Sequence, residues 1–230
     1  MPKFFFTVAF AAPLACLTSV ATADTIDQDN LITVDGFGIS GGPTVGFFAD
    51  TDFTNELLQT FVVGITGDLT RVQLQLIRNP LATPDFDVDV SIVTLSGTST
   101  PITVVDTLST TSFGPADVTT DAPMLIDLGF ANPASVNAGD TLGILLSPGA
   151  PQGASAGTSY RWFIEIADNT RSYVPGAPFS ANNGNFVGGP SSDFGFATFV
   201  EEGGEAVVPL PASALLLLSG LGALVIRSRR

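Results

Sequence analysis

Arg71-Val72-Gln73-Leu74-Gln75-Leu76 alternates apolar and polar side chains without a break. Successive side chains of a β-strand point to opposite faces, so Val72, Leu74 and Leu76 share one face and the polar residues take the other, as a half-buried strand requires. The same period of two returns on both sides of this stretch. Phe86, Val88, Val90 and Ile92 oppose Asp85, Asp87, Asp89 and Ser91; Met124, Ile126, Leu128 and Phe130 share a face, and so do Leu142, Ile144 and Leu146. Tyr160, Trp162, Ile164 and Ile166 fall on one side of another strand, and Phe194, Phe196, Thr198 and Val200 form a last one.

Turn chemistry separates these runs. It falls at Thr66-Gly67-Asp68, Ser96-Gly97, Asn132-Pro133, Ala138-Gly139-Asp140 and Ser147-Pro148-Gly149, where Gly, Pro, Asn and Asp supply the dihedrals that strands avoid. No sustained helical stripe interrupts the pattern. The expectation is an all-β fold, a jelly-roll-like β-sandwich of eight or nine strands over residues 24–200.

Both flanks differ from this body. Met1-Pro2-Lys3, an apolar run from Phe4 to Val20 and the small residues Ala21-Thr22-Ala23 have the order of a secretory signal peptide, residues 1–23, cleaved after Ala23 with Ala21 and Ala23 as the cleavage signal. Cys16 raises the possibility of a lipoprotein, but Pro13 stands where an aliphatic residue is needed three places upstream. At the other flank an acidic Gly-rich linker, 201–206, leads into 207–230. There Val208-Pro209-Leu210-Pro211-Ala212 precedes an apolar run from Ser213 to Ile226 and the basic cluster Arg227-Ser228-Arg229-Arg230. From Val207 onward the apolar stretch is close to the roughly 20 residues that cross a bilayer core, and the prolines sit at its entrance, where a missing N–H costs little. An ordinary anchor helix and a buried core helix fit the same composition. Lys3 and the three terminal arginines are held in the cytoplasm by the positive-inside bias, which puts the segment between them across the membrane.

The body is strongly acidic. The chain has 22 acidic and 8 basic residues; setting aside Lys3, Arg227, Arg229 and Arg230 leaves four arginines against all 22 acids, a net charge of −18. Nucleic-acid binding, which depends on cationic neutralisation of phosphate, is excluded for such a surface. The only cysteine is Cys16 and there is no histidine. The exported domain therefore has no disulfide, no thiol chemistry, no imidazole base and no imidazole metal ligand, and about 180 residues must hold together through the core alone.

Several strings resemble chemistry. Gly36-Phe37-Gly38-Ile39-Ser40-Gly41 spells G-x-G-x-x-G, but Gly42-Pro43 follows where a helix N-terminus would have to receive the pyrophosphate. Gly153-Ala154-Ser155-Ala156-Gly157 spells the nucleophile-elbow string, but the domain offers no histidine or lysine to take the serine proton. Glu165 and Asp168 are a carboxylate pair of the kind glycoside hydrolases use, one arbitrary pair among many acids. No catalytic role is expected. Asp85, Asp87 and Asp89 put three carboxylates on one face, either a solvated acidic strand or a Ca²⁺ site, the only metal the sequence suggests. Trp162 is expected in the core. Tyr173, in the loop Arg171-Ser172-Tyr173-Val174-Pro175-Gly176, is the better candidate for a glycan contact, with the Gly-Asn loop from Ser180 to Gly189 edging the same cleft.

The tail VPLPA, SALLLLSGLGALVI and RSRR resembles a PEP-CTERM sorting signal of the VPLPA type. The resemblance implies a Gram-negative host in which an exosortase, an integral-membrane cysteine transpeptidase, recognises Val208, Pro209, Leu210, Pro211 and Ala212, with Arg227, Arg229 and Arg230 as the retention cluster. It implies transient anchoring in the inner membrane facing the periplasm, cutting near the motif, and delivery to the cell surface or exopolysaccharide matrix. A second likeness lies in the body: Leu58-Gln59-Thr60-Phe61, Gly64-Ile65-Thr66-Gly67-Asp68-Leu69-Thr70 with Val72-Gln73-Leu74, and Val136-Asn137-Ala138-Gly139-Asp140-Thr141-Leu142. These are similar to the Q-[ST]-F, G-x-L-T-x-V and x-A-G-D strings of the β-sandwich domain in anchored surface proteins. That likeness supports the fold and implies no activity. The expected role is structural or adhesive, with a cell-surface carbohydrate-binding module, calcium-stabilised or not, as the alternative.

Overall fold

The computed structural model describes residues 24–31, 44–47, 54–78, 84–97, 102–119, 123–149, 158–164, 173, 176–182, 184–188 and 193–202. Among these residues the secondary structure is all β. Twelve strands run in chain order: β1 (Thr25–Asn30), β2 (Thr44–Phe47), β3 (Thr54–Val62), β4 (Gly67–Arg78), β5 (Val88–Leu95), β6 (Val104–Phe113), β7 (Met124–Val136), β8 (Thr141–Pro148), β9 (Ser159–Trp162), β10 (Pro178–Asn182), β11 (Asn185–Gly188) and β12 (Phe196–Glu202).

All strand pairs are antiparallel and belong to one sheet that curls into a half-barrel. β4 is its spine. One edge of β4 is paired by β7, and the other by β12 near the start of the strand and by β9 near its end. β9 and β2 then carry the sheet across to β3, β8, β5 and β6. The curl brings the last strand, β6, back toward β7, where Ser109 Oγ donates to the carbonyl of Asn132 at 2.6 Å. β7 reaches across because Phe130–Pro133 lie between the pairs Arg71↔Gly129 and Leu69↔Ala134, a bulge opposite the single residue Thr70. Asn132-Pro133, expected as a turn, is this bulge; a proline without an N–H is tolerated there because the ladder is already interrupted.

The alternating faces fall as the sequence implied. Val72, Leu74, Leu76, Val88, Val90, Ile92, Ile144, Leu146, Trp162, Phe196 and Val200 are completely buried in one core inside the curl. At about 1.5–3 kcal/mol for each large apolar side chain buried, that core accounts for stability without a disulfide. A second, smaller cluster lies on the outer face of the same sheet. Leu58, Val93 and Phe179 are covered there by Phe186 and Ile102, which bridge to each other.

Twelve strands exceed the eight or nine expected, and the difference is physical. β1, β2, β10 and β11 are short, and their polar or Gly-broken sequences carry no apolar alternation. The Ser180 to Gly189 stretch, expected as a loop, contains the β10–β11 hairpin, turned by Gly184 at φ 79°. Glu201 and Glu202, placed in the linker by sequence, pair with Asp68 and Gly67 and extend β12.

Candidate functional site

The signal-peptide residues Ala21 and Ala23, the motif Val208 to Ala212, the cluster Arg227, Arg229 and Arg230, both glycine-rich strings, Glu165 and Asp168 lie outside the described residues. Among the described residues no helix is long and apolar enough to cross a membrane.

The three aspartates are where the alternation puts them. Asp85, Asp87 and Asp89 are exposed, with Phe86, Val88 and Val90 buried between them. Only Asp89 lies within β5; Asp85 and Asp87 precede it in an acidic row that bends at Phe86. No group of three or more acidic, cysteine or histidine residues is arranged to hold a metal among the described residues. This row belongs to the end of the sheet where β4 finishes. The carbonyl of Asp87 accepts from Gly149 N at 2.8 Å, Asp117 Oδ2 accepts from Gly114 N at 2.8 Å, and Arg78 Nη1 donates to the carbonyl of Pro115 at 2.8 Å. Beneath them Tyr160 OH donates to the carbonyl of Phe86 at 3.0 Å. Burial pushes its phenol well above the ordinary value; the Arg78 guanidinium opposes that, and Asp87, Asp117 and Asp85 add to it. The arrangement fixes a turn and keeps Tyr160 neutral.

Tyr173, the candidate glycan contact, is 8% exposed. Its ring meets Phe196 edge-on at 5.2 Å, and its hydroxyl donates to Gln28 Oε1 at 2.8 Å while accepting from Val62 N at 3.3 Å. Trp162 is in the core as expected, its Nε1–H donating to the carbonyl of Gly195 at 2.9 Å.

The most highly specified polar site was not legible in the sequence. Gln59 and Asp193 are both fully buried. Gln59 Nε2 donates to Asp193 Oδ1 at 3.1 Å, Gln59 Oε1 accepts from Phe194 N at 3.0 Å, and Asp193 Oδ2 accepts from Tyr173 N at 3.1 Å. Next along β3, Thr60 Oγ1 accepts from Ala177 N at 2.7 Å. Gln59-Thr60-Phe61 thus clamps two distant segments onto β3, a structural use of that string. The Ala138-Gly139-Asp140 string is likewise a turn: Gly139 has φ 95°, and Asp140 Oδ2 accepts from Asn137 N at 2.8 Å.

A third constellation holds the amino-terminal strand. Arg71 bonds Asp24 at 3.0 Å and Asp127 at 2.7 Å while its guanidinium lies 3.5 Å over the Phe199 ring. Asp27 Oδ1 accepts from Gly64 N at 2.8 Å and Ile65 N at 2.7 Å, and Asp27 Oδ2 accepts from Thr198 Oγ1 at 3.2 Å. Because Thr25 pairs with Val200 and Glu202 with Gly67, the two ends of the described domain emerge at the same end of the sheet, opposite the Asp85–Asp87 row.

No protein-family model matches the chain, and neither does any curated protein.

Proposed function

We propose that the chain is an exported, non-catalytic protein of the cell envelope or exopolysaccharide matrix, with a structural or adhesive role, processed at its tail by an exosortase. The observation that carries the reading is the sequence of that tail: a Pro-bracketed pentapeptide at 208–212, an apolar helix-length run and three arginines, in that order. The domain supports it. It is acidic, lacks cysteine and histidine, and draws its two ends together, so that a tether through residues 203–212 leaves the far end of the sheet free. We read the half-barrel as a jelly-roll-like sandwich, its halves being the β1-β12-β4-β7 portion and the β6-β5-β8-β3 portion facing each other across the core. The proposed partners are the exosortase, the inner membrane through residues 213–226 and exopolysaccharide.

The alternative is a cell-surface carbohydrate-binding module, whose ligand would be met by residues other than the buried Tyr173 and Trp162. The proposal is tested by producing the protein in its host with and without the exosortase. It predicts loss of the 213–230 segment only when the enzyme is present; identical C-terminal masses in both strains would overturn it.

A further inference from the structure

We propose that β1 is an exchangeable strand, and that the groove it fills along β12 is an interaction surface for β1 of a second copy of this chain. β1 is an edge strand paired only with β12, and none of its residues enters either hydrophobic cluster. Its one large apolar side chain, Ile26, is 53% exposed. Its ladder and a set of polar pins hold it: Asp24 on Arg71, Asp27 on Gly64 and Ile65, Gln28 between Thr198 Oγ1 and the Tyr173 hydroxyl, and Asn30 Nδ2 on the carbonyl of Phe194 at 2.7 Å. Because none of its own side chains is part of either cluster, releasing it withdraws no side chain from the core, and it belongs among the segments that open locally ahead of the whole fold.

What it leaves behind is the opposite kind of strand. Phe196-Ala197-Thr198-Phe199-Val200 is buried, apolar and β-prone, and without β1 it presents an unpaired backbone edge of the sort that captures another strand. The occupant is specified by the pins. The register shifts between Ile26 and Gln28, so Asp27 is an extra residue turned out of the ladder onto the two amide N–H groups of Gly64 and Ile65. A strand filling this groove must carry a carboxylate at that bulge, a hydrogen-bonding side chain at the next residue for Tyr173, and a carboxylate three residues before the bulge for Arg71. The segment 24–30 of another copy brings all three. Thirteen residues separate Asn30 from Thr44, enough chain to span roughly 43–47 Å when extended, so β1 can reach a neighbouring copy while its own body stays folded. The pins are the same in exchange as at home, which makes the exchanged pair close to isoenergetic and its extent dependent on concentration.

The test uses the full chain in detergent with its one cysteine removed by Cys16→Ser. One population carries Ile26→Cys and another Phe199→Cys, directly opposed residues across β1 and β12 whose spacing in an antiparallel ladder suits a disulfide. Equal amounts are mixed in mild denaturant, returned to buffer and oxidised. A disulfide between the populations can form only in trans. Exchange predicts a yield at least tenfold above that of a control mixture pairing Ile26→Cys with Val187→Cys, which is exposed on β11. Equal yields from the two mixtures, or cross-linking of Phe199→Cys to other proteins in place of Ile26→Cys, would overturn the proposal. If Phe199→Cys does not fold, Asp29→Cys mixed with Ala197→Cys gives the same readout at another opposed pair.

Discussion

Trp162 and Phe194 lie face to face, their ring centroids 4.4 Å apart and their planes 9° from parallel. Trp162 belongs to β9, the strand that carries the sheet from β4 toward β2 and β3. Trp162→Ala removes the stack, the Nε1–H bond to Gly195 and a large buried volume, and is expected to cost about 3–5 kcal/mol. Trp162→Phe keeps most of the apolar contact and removes one of two donors to the Gly195 carbonyl, which still accepts from Gln75 N, and is expected to cost about 0.5–1.5 kcal/mol. Urea unfolding followed by circular dichroism measures both, since the chain loses its only tryptophan in each case.

The Gln59–Asp193 pair makes a different kind of prediction. Gln59→Leu fills a similar volume but leaves a fully buried carboxylate and the Phe194 N–H without their amide partner. Buried polar groups stripped of a partner cost about 1–3 kcal/mol each, more when charged. The expected loss is therefore about 3–5 kcal/mol, seen as a lower urea midpoint at unchanged slope. Replacing both residues, Gln59→Leu with Asp193→Leu, also removes the buried carboxylate that has lost its amide partner and is expected to recover part of that loss; a double variant less stable than the sum of the single ones would contradict the clamp.

Tyrosine ionisation is expected to weaken the fold at alkaline pH. Burial, the largest influence, with Asp27 and Asp193, pushes the Tyr173 phenol up to about 12 from its ordinary 10.0, against the opposing hydrogen bond from Val62 N. Tyr160 is shifted in the same direction. Below about pH 10 both are neutral in folded and unfolded chains, and the pH has no hold on them. As pH rises from 10 toward 12 the unfolded chain ionises first, so stability falls through that window. Urea midpoints between pH 8 and 12 should show this decline, with a shallower slope in Tyr173→Phe than in the parent.

The strands that were legible in the sequence are those with one face in oil and one in water. Val72, Leu74 and Leu76 announce β4, and Phe86, Val88 and Val90 the approach to β5, because burial itself writes the alternation. β1 has no such signature: Thr25-Ile26-Asp27-Gln28-Asp29-Asn30 is held by its ladder, carboxylates and amides, and side-chain hydrogen bonds impose no period. The same reason hid Asp193, whose partner Gln59 is 134 residues away. Nor does anything local to Tyr173 announce its contacts, since Phe196 and Gln28 are both far from it in the chain.

Three glycines should respond to alanine in a fixed order. A Cβ on Gly176 would stand 2.0 Å from the carbonyl oxygen of Thr60, backbone that cannot move without breaking the Thr60–Ala177 clamp; on Gly143 it would stand 2.5 Å from Leu58 Cδ1, a side-chain end that can rotate; on Gly129 it meets nothing within 4 Å. Gly176→Ala is expected to destabilise most, by about 3 kcal/mol or more, and Gly143→Ala by about 1–3 kcal/mol. Gly129→Ala is expected to be neutral or to stabilise by up to about 1 kcal/mol through the unfolded chain. Thermal midpoints of the three variants give the ranking.

The central claim, that this acidic half-barrel is trimmed at both flanks on its way out of the cell, is tested most directly by the intact mass of the protein recovered from the surface and matrix fractions of its native host. The account predicts a chain beginning at Asp24 and ending within or next to Val208–Ala212. A single species retaining both Met1 and Arg230, found in the cytosol, would contradict it.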